Sequence, residues 1–476
     1  MEIKTLLKYI QIVVLTGVLF VLGLYGADRL VTPPGTIEAF YDEPKQTVDV
    51  LIVGGSHAMC ALSPTEIYRD TGLTAYNLST WSQPVWVSYH YVREALKYQS
   101  PKVVLIDAFG SFYDKSYLTG VDVDLVSDDH AQLMKPSLNL LAMNLARRRV
   151  QVTRKPWSEY LNIAKYHSRI TELTREDFDK IFQDDSTTGK GFGPFYTTED
   201  FSSYTYPVTD AQEPLYPAAE AYLVKLLQML QEKDIIPVLV KLPHVADEKD
   251  IALVNTVARI AAENNVAFLD FCSTNALGLD LATDYADHGH LNYLGAQKAT
   301  AVVAEFLNGL GLVPEHDADT EAAWQHAAAV EDEETTRMEI KLSHSFAEMY
   351  QRVECHGKTA MLAVVQDGGR LTDADWQQLA AALAETPFAM SAEELAAHSV
   401  LLYADGMLLT DDSAREWCAR HEIAVTAGEQ AEILYRGENH SYGRDGLNVA
   451  LYQEETGELY HACSFAKEHA YTAYTE

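Results

Sequence analysis

The chain has 476 residues, of which 47% are hydrophobic and 22% charged. This length exceeds what one hydrophobic core usually organises, so we expect two folded units. The formal net charge of −33 excludes nucleic acid as the main ligand, because phosphate binding requires a basic surface. Residues 316–476 carry roughly 30 acidic residues against about 10 basic ones, so most of the negative charge lies in the last third of the chain.

Cysteine usage gives no sign of a metal site. The five cysteines lie far apart, and the sequence contains no CxxC motif and no Cys/His cluster. We therefore predict no metal, no cofactor and no disulfide framework.

The first element is an uncharged segment at residues 9–27, YIQIVVLTGVLFVLGLYGA. Nineteen such residues can span the hydrocarbon core of a bilayer as a helix. Lys4 and Lys8 precede the segment, so the positive-inside rule predicts a single-pass anchor over residues 1–28 with the bulk of the chain outside the cytoplasm. A cleaved signal peptide is the alternative, but cleavage after Ala27 would place a tyrosine where a small residue is needed.

Residues 45–312 alternate between short apolar runs and amphipathic helical segments. This alternation predicts an α/β domain with a parallel sheet flanked by helices. Residues 110–215 are less regular, and we interpret them as an insertion that covers one end of the sheet. The predicted strands are 48–53, 74–78, 103–108, 236–241 and 266–271, and the predicted helices are 86–98, 218–232, 247–264 and 294–307.

A glycine-serine turn follows the first predicted strand in the sequence LIVGGSHAMC, residues 51–60. Serines at strand ends are common, so a plain turn is one interpretation of Ser56. Paired glycines also permit a tight turn and a close backbone approach, which would leave the Ser56 amide free to bind a substrate oxygen. In that case Ser56 is a nucleophile presented at the end of a strand.

A second polar segment, DYADHGHLNYLGAQKA at residues 284–299, opens the last helix of the same predicted domain. Asp287 can bond Nδ1 of His290 across two residues, which would leave Nε2 to take a proton from a serine. The alternative is a polar loop in which Asn292 caps the helix. If the triad exists, the distance from Ser56 Oγ to His290 Nε2 is expected to be about 2.6–3.5 Å.

With these two segments, residues 45–310 resemble the SGNH/GDSL hydrolase superfamily. The resemblance is closest to the membrane-anchored branch that includes the alginate O-acetylation proteins and the D-alanyl-lipoteichoic acid biosynthesis protein. It implies a flavodoxin-like three-layer fold with Ser56 as nucleophile, His290 as general base and Asp287 as the residue that orients His290. Asp284 could compete with Asp287, although its offset fits the family pattern less well.

The sequence departs from the family pattern at two blocks. The first block is GGSH rather than GDS, and IDAFGSFYD at residues 106–114 has no asparagine where the third block would supply one. The oxyanion hole would then need the Ser56 amide and another donor, for which Asn77 is the first candidate and Gln83 the second. Gly55 and His57 complete the candidate oxyanion and substrate-binding residues, with His57 interpreted as structural or substrate-contacting.

The resemblance implies an esterase or O-acyltransferase that acts on a cell-surface polysaccharide, with a membrane-bound O-acyltransferase as a possible partner. The alternative is a catalytically degenerate scaffold that binds polysaccharide or organises a glycan-modification complex. The aromatic segment 189–207 could stack on sugar rings or form an ordered lid. Lys241 is interpreted as a solvated lysine at a strand end, with a site residue as the alternative.

Residues 313–335 form an acidic, alanine-rich segment that we interpret as a linker. Residues 336–476 have strands at 360–365, 399–403 and 431–435, helices at 373–384 and 413–421, and a final hairpin at 447–465. This smaller α+β domain resembles an ILEI/PANDER-like domain in its GLN-initiated strand, its Thr-Gly turn and its Ser-Phe ending. The resemblance implies a binding or spacing module, in which His440, Tyr442 and Arg444 could form a polar site.

Overall fold

The structure is a computed structural model that divides into two compact units, Met1–Ala329 and Val330–Glu476. Each unit is described by itself. The described residues are 3–31, 38–116, 138–150, 167–171, 173, 189–343, 345–356, 359–453, 459–471 and 473–474.

The first unit contains a five-stranded parallel sheet in the order β2-β1-β3-β4-β5. The predicted parallel α/β architecture is confirmed, and each predicted strand is present, four of them shorter by one or two residues. The order 2-1-3-4-5 is that of the flavodoxin-like doubly wound fold. The strands are β1 Val50–Val53, β2 Ala75–Asn77, β3 Val103–Asp107, β4 Ile236–Lys241 and β5 Ala267–Asp270.

Helices and one small hairpin complete the first unit. The helices are α1 Ile3–Val31, α2 Ser56–Ala61, α3 Pro64–Thr71, α4 Val85–Ala95, α5 Leu138–Val150, α6 Pro217–Gln231, α7 Glu248–Glu263 and α8 Tyr293–Gly309. The hairpin pairs β6 Tyr285–Asp287 with β7 His290–Leu291.

The inner strands β1 and β3 are buried on both faces, which explains why they are nearly continuous apolar runs rather than alternating ones. On β1, Leu51 and Val53 belong to the core that includes side chains of α4, α6 and α7. Val50 and Ile52 belong to the opposite core, which includes side chains of α3 and α8. The result is a three-layer arrangement of helices, sheet and helices.

The N-terminal prediction is not supported. Helix α1 covers residues 9–27, yet no helix within the described part of the chain is long and apolar enough to cross a membrane.

The second unit contains a six-stranded sheet in the order β10-β9-β8-β14-β15-β16, whose neighbouring strands are antiparallel. Its strands are β8 Thr359–Gln366, β9 Val400–Ala404, β10 Met407–Thr410, β14 Gly446–Gln453, β15 Leu459–Ala466 and β16 Ala473–Tyr474. A three-stranded sheet adds β11 Ile423–Thr426, β12 Glu432–Tyr435 and β13 Glu438–Asn439.

Helices accompany these sheets, and the predicted hairpin is present as β14 and β15; its turn lies outside the described residues. The segment interpreted as a linker lies mostly in the helix Ala318–Lys341. The predicted helices 373–384 and 413–421 are present as α11 Asp373–Ala382 and α13 Asp411–Arg420. The helices that were not predicted are α9 Ala318–Lys341, α10 Phe346–His356 and α12 Ala392–Ala397.

Candidate active site

The candidate residues meet at the carboxyl edge of the parallel sheet. Ser56 follows β1 and Asp107 ends β3, and these two strands flank the point where the strand order reverses. Ligands of doubly wound folds bind outside the carboxyl ends of the strands at this switch point. The fold therefore places Ser56 where such a sheet forms its binding crevice.

Ser56, His290 and Asp287 form a continuous hydrogen-bonded set. Ser56 Oγ lies 2.8 Å from His290 Nε2. Nδ1 of the same ring lies 2.9 and 3.0 Å from the two carboxylate oxygens of Asp287. An ionised carboxylate only accepts hydrogen bonds, so Nδ1 carries the proton and Nε2 accepts one from the Ser56 hydroxyl. The arrangement can deprotonate Ser56 and stabilise the imidazolium that results.

The β6–β7 hairpin explains how two residues so close in sequence face each other. Asp287 and His290 are cross-strand partners in this hairpin, and Asp287 Oδ1 accepts the Gly289 amide at 2.7 Å. Partial burial raises the pKa of Asp287, but the bonds from His290 and Gly289 outweigh it and hold the pKa below its ordinary value. Asp287 is therefore ionised at neutral pH, as its position behind the imidazole requires.

The helix-capping interpretation of this segment holds at the same time. Asn292 Oδ1 accepts the Gly295 amide at 3.2 Å and caps α8. Asp284 does not compete for His290, because its carboxylate bonds Lys298 Nζ at 2.6 Å and the Asp280 amide at 2.7 Å. Capping of α8 and orientation of His290 thus use different residues of one segment.

The two predicted side-chain donors of the oxyanion hole are wrong. Asn77 is fully buried, and its Nδ2 donates to the carbonyls of Ala58 at 2.8 Å and Leu62 at 3.1 Å. Gln83 is also fully buried; its Nε2 donates to Ser88 Oγ at 2.9 Å, and its Oε1 accepts from the Thr80 hydroxyl.

The Gly55 amide is occupied as well, since it donates to Asp107 Oδ2 at 3.2 Å. The Ser56 amide remains. It lies in the first turn of α2, where the intrahelical bonds begin only with Ala58 and Met59 donating to the Gly55 carbonyl. This amide is the candidate donor to a substrate oxygen that the structure leaves available.

His57 lies behind the triad rather than within it. Its ring stacks on Phe109 with centroids 4.0 Å apart, and its Nδ1 has no hydrogen-bond partner among the described residues. Burial, followed by the charge of Lys241, holds the pKa of His57 well below its usual value. His57 is therefore a neutral buried ring, which agrees with the structural interpretation of this residue.

The interpretation of Lys241 as a solvated lysine is wrong, because the side chain is fully buried at the end of β4. Its Nζ donates to the Leu242 carbonyl and to His244 Nδ1, the latter at 3.0 Å. His244 Nε2 in turn lies 3.1 Å from Asp250 Oδ2. Lys241, His244 and Asp250 were not predicted to form a buried polar cluster. The available signal in the sequence was a polar residue at the end of an apolar strand.

Two aromatic side chains, Trp81 and Phe195, lie beside His290. Trp81 is 41% exposed, and its ring centroid lies 5.8 Å from that of His290. The half-buried ring of Phe195 lies 5.2 Å from His290 and 5.8 Å from Trp81. Trp81 was not singled out from the sequence, although an isolated tryptophan in a polar turn after β2 was the available signal.

The segment that carries Phe195 is ordered by backbone hydrogen bonds. The Gly193 amide donates to the Met59 carbonyl at 3.0 Å, and the Tyr293 amide donates to the Phe195 carbonyl at 2.7 Å. The segment therefore connects the helix that begins at Ser56 with the helix that follows His290. This supports the ordered-lid interpretation and still leaves part of Phe195 exposed beside His290.

Cys60, Cys272, Cys418 and Cys463 are buried free thiols. Within the described ranges no group of histidine, cysteine and acidic residues is arranged to hold a metal ion.

Comparison with known proteins adds little to this geometry. No protein-family model matches the chain, and no curated protein matches its sequence. Among solved structures, the chain is similar to a Bacteroides fragilis protein described as a "putative acylhydrolase". The identity is 12% and the TM-score 0.30, over 58% of this chain and 94% of that one. A likeness at this TM-score carries no argument, so the interpretation of the site depends on its own residues.

Proposed function

We propose that the first unit is a serine-dependent acyl-transfer enzyme, either an esterase or an O-acyltransferase. The observation that carries the proposal is the continuous set of hydrogen bonds from Ser56 through His290 to Asp287. Its location at the switch point of a doubly wound sheet supports the same conclusion.

The chemistry follows from the geometry. His290 Nε2 removes the Ser56 proton as Oγ attacks an ester carbonyl, and the Ser56 amide stabilises the oxyanion. His290 then donates that proton to the leaving alcohol, which leaves the acyl group on Ser56. Water or an acceptor hydroxyl, deprotonated by the same imidazole, completes hydrolysis or transfer.

We propose a carbohydrate of the cell surface as the substrate. The exposed face of Trp81 and the neighbouring Phe195 ring support this part, since flat aromatic surfaces suit the apolar face of a sugar ring. The cell-envelope location and a membrane-bound O-acyltransferase as the source of acyl groups belong to the same proposal, and their support is the sequence resemblance. Fractionation of the native cells tests the location: recovery with the cytosol would contradict it.

The second candidate function is a degenerate scaffold that binds polysaccharide without chemistry. The observation that favours it is the engagement of Asn77, Gln83 and Gly55 in other hydrogen bonds, which leaves a single candidate amide donor. We assign the second unit a binding or spacing role under either function.

A fluorophosphonate probe distinguishes the two functions. An enzyme with an activated serine is expected to react at Ser56, and the reaction is expected to disappear in Ser56→Ala and His290→Ala. A scaffold would fold, bind polysaccharide and remain unlabelled. The matched control is Asn448→Ala in the second unit, which leaves the candidate triad unchanged and is expected to label normally.

A further inference from the structure

The side chain of Asp107 holds the turn that presents the candidate nucleophile. Asp107 is 3% exposed at the end of β3. Its Oδ2 accepts the Gly55 amide at 3.2 Å, and its Oδ1 accepts the Phe109 amide at 3.1 Å. Both carboxylate oxygens are therefore bonded to backbone, and one of those bonds fixes the residue directly before Ser56.

The turn is also shaped to fit this side chain. A Cβ atom added to Gly54 would lie 2.2 Å from Asp107 Cβ, which is far inside van der Waals contact. Gly54 is thus required by the close approach of Asp107. The aspartate and the glycine pair form one packed unit beneath Ser56.

Burying a carboxylate is costly unless a positive charge acts on it, and the charge of buried Lys241 acts on Asp107. Asp107 pairs with Val240 across β3 and β4, so Lys241 follows one residue later on the neighbouring strand. Burial is the dominant effect and raises the pKa of Asp107, although the Lys241 charge and the two amide bonds act in the opposite direction. Lys241 is itself held in place by His244.

We propose that Asp107, balanced by buried Lys241, is a positioning residue that fixes the Gly54–Gly55 turn and thereby the direction of the Ser56 hydroxyl and amide. The inference rests on the proposed function, because Ser56 is the group that is positioned. A carboxylate cannot donate a hydrogen bond to an oxyanion, so Asp107 acts through the turn and does not contact the reacting atoms.

Asp107→Asn is the decisive change. An asparagine side chain has one acceptor oxygen and one NH2 group, so it can keep the bond to Gly55 or the bond to Phe109 but not both. Its NH2 group would then face a backbone N–H, and the turn would shift. We expect kcat for p-nitrophenyl acetate and the rate of fluorophosphonate labelling to fall about 10- to 100-fold, with KM unchanged, because small displacements of reacting groups have effects of this size.

Asp107→Asn leaves Lys241 buried without its counter-charge and can fail to fold. The double variant Asp107→Asn/Lys241→Met removes both charges, so it is expected to fold and to remain slow. The matched control is Asp411→Asn in the second unit, where Asp411 Oδ1 accepts the Ser399 amide at 2.9 Å and the Val400 amide at 3.3 Å. Asp411→Asn is expected to keep the wild-type labelling rate.

The outcomes separate this inference from the proposed function. A folded double variant that labels slowly at Ser56, beside a normal Asp411→Asn control, supports the positioning role. A folded double variant that labels at the wild-type rate overturns it and leaves the proposed function intact. Wild-type protein that does not label at Ser56 overturns the proposed function, and the positioning role with it.

Discussion

The two units use buried polar side chains in different ways. In the first unit, Ser56, His290 and Asp287 bond one another through their side chains, although Ser56 lies far from the other two in the sequence. In the second unit, Gln366 and Asn448 are buried, and most of their hydrogen bonds are to the backbone.

The second unit shows what such backbone bonds achieve. Asn448 Oδ1 accepts the Tyr442 amide at 3.1 Å and the Arg444 amide at 3.5 Å, while its Nδ2 donates to the Arg444 carbonyl at 3.1 Å. Gln366 Nε2 donates to the Gly443 carbonyl at 2.8 Å. These two amides hold the loop that contains the polar residues considered as a site in the sequence analysis.

Buried polar side chains that stabilise the backbone thus differ from those that are arranged for a reaction. A buried amide whose hydrogen bonds all end on backbone stabilises a loop, whichever unit it lies in, and Asn77 shows that such an amide also lies beside the candidate site. Side chains that converge on one hydroxyl from separate segments indicate chemistry. The predictions below test this distinction.

The largest expected effect is on turnover by the triad. Ser56→Ala or His290→Ala is expected to lower kcat for p-nitrophenyl acetate by at least about 10³-fold, because the members of a triad act as a unit. Steady-state kinetics on folded protein is the measurement, with Asn448→Ala as the comparison in the second unit. If Asn448→Ala lowered kcat as much as the triad variants do, the triad would not differ from a buried amide that only stabilises a loop.

The pH dependence of stability should differ between the units. In the first unit, burial lowers the pKa of His244 and of His90 to about 4, from an ordinary value of 6.5. Unfolding lets these rings take up protons, so stability is lost as the pH falls from about 6.5 to about 4, by up to ~3 kcal/mol for each ring.

In the second unit, the contribution of Asp411 to stability depends on pH over a different range. Partial burial raises its pKa, but bonds from His398 and Ser399 outweigh that effect and lower the pKa to about 2. The stability it contributes is present above pH 3.8 and is lost only as the pH falls toward 2. In the same unit, burial lowers the pKa of His461 to about 4.

Hydrogen exchange of the full chain, measured peptide by peptide at pH 7 and pH 5 and corrected for the intrinsic rates, checks this difference. The first unit is expected to lose more protection than the second. Equal losses, or a greater loss in the second unit, would show that the buried histidines do not control acid stability.

A smaller effect is expected from Asn448→Ala. The change removes three hydrogen bonds to backbone and leaves buried amides unpaired, so the second unit should lose about 2 kcal/mol of stability. Denaturant unfolding monitored by exchange in the second unit measures it. Turnover at Ser56 is expected to be unchanged, and a parallel fall in kcat would mean that the loop also serves the reaction.

The smallest expected effect is from Trp81→Ala. Because Trp81 is exposed, stability should change little, whereas KM for an acetylated methyl glucoside should rise roughly 10-fold through loss of the aromatic surface. Ethyl acetate, which has no ring, serves as the comparison substrate. If KM rises equally for both esters, Trp81 shapes the site without recognising a ring.

The sequence was sufficient for the features that depend on local pattern. Short, mainly apolar runs identified all five parallel strands, since strands inside a sheet covered on both faces consist mostly of apolar residues. The Asp287–His290 pair could be predicted because both residues lie in one hairpin. The catalytic roles of these residues stay predictions.

Features that depend on distant partners could not be obtained in this way. An amide side chain such as Asn77 looks the same in a sequence whether it faces a substrate or the carbonyls of Ala58 and Leu62. The buried position of Lys241, one residue after the partner of Asp107 on the neighbouring strand, arises only when the sheet forms. The contact of Trp81 with His290 could not be predicted for the same reason, because the two residues are far apart in the sequence.

The central claim is that Ser56 forms a covalent acyl intermediate, and trapping that intermediate tests it most directly. Wild-type protein is mixed briefly with p-nitrophenyl acetate, quenched in acid, digested and analysed by mass spectrometry, with His290→Ala as the control. We predict an acetyl group on the peptide that contains Ser56, at Ser56 itself, in the wild type and not in the control. An unmodified Ser56 in wild-type protein that still hydrolyses the ester would contradict the account.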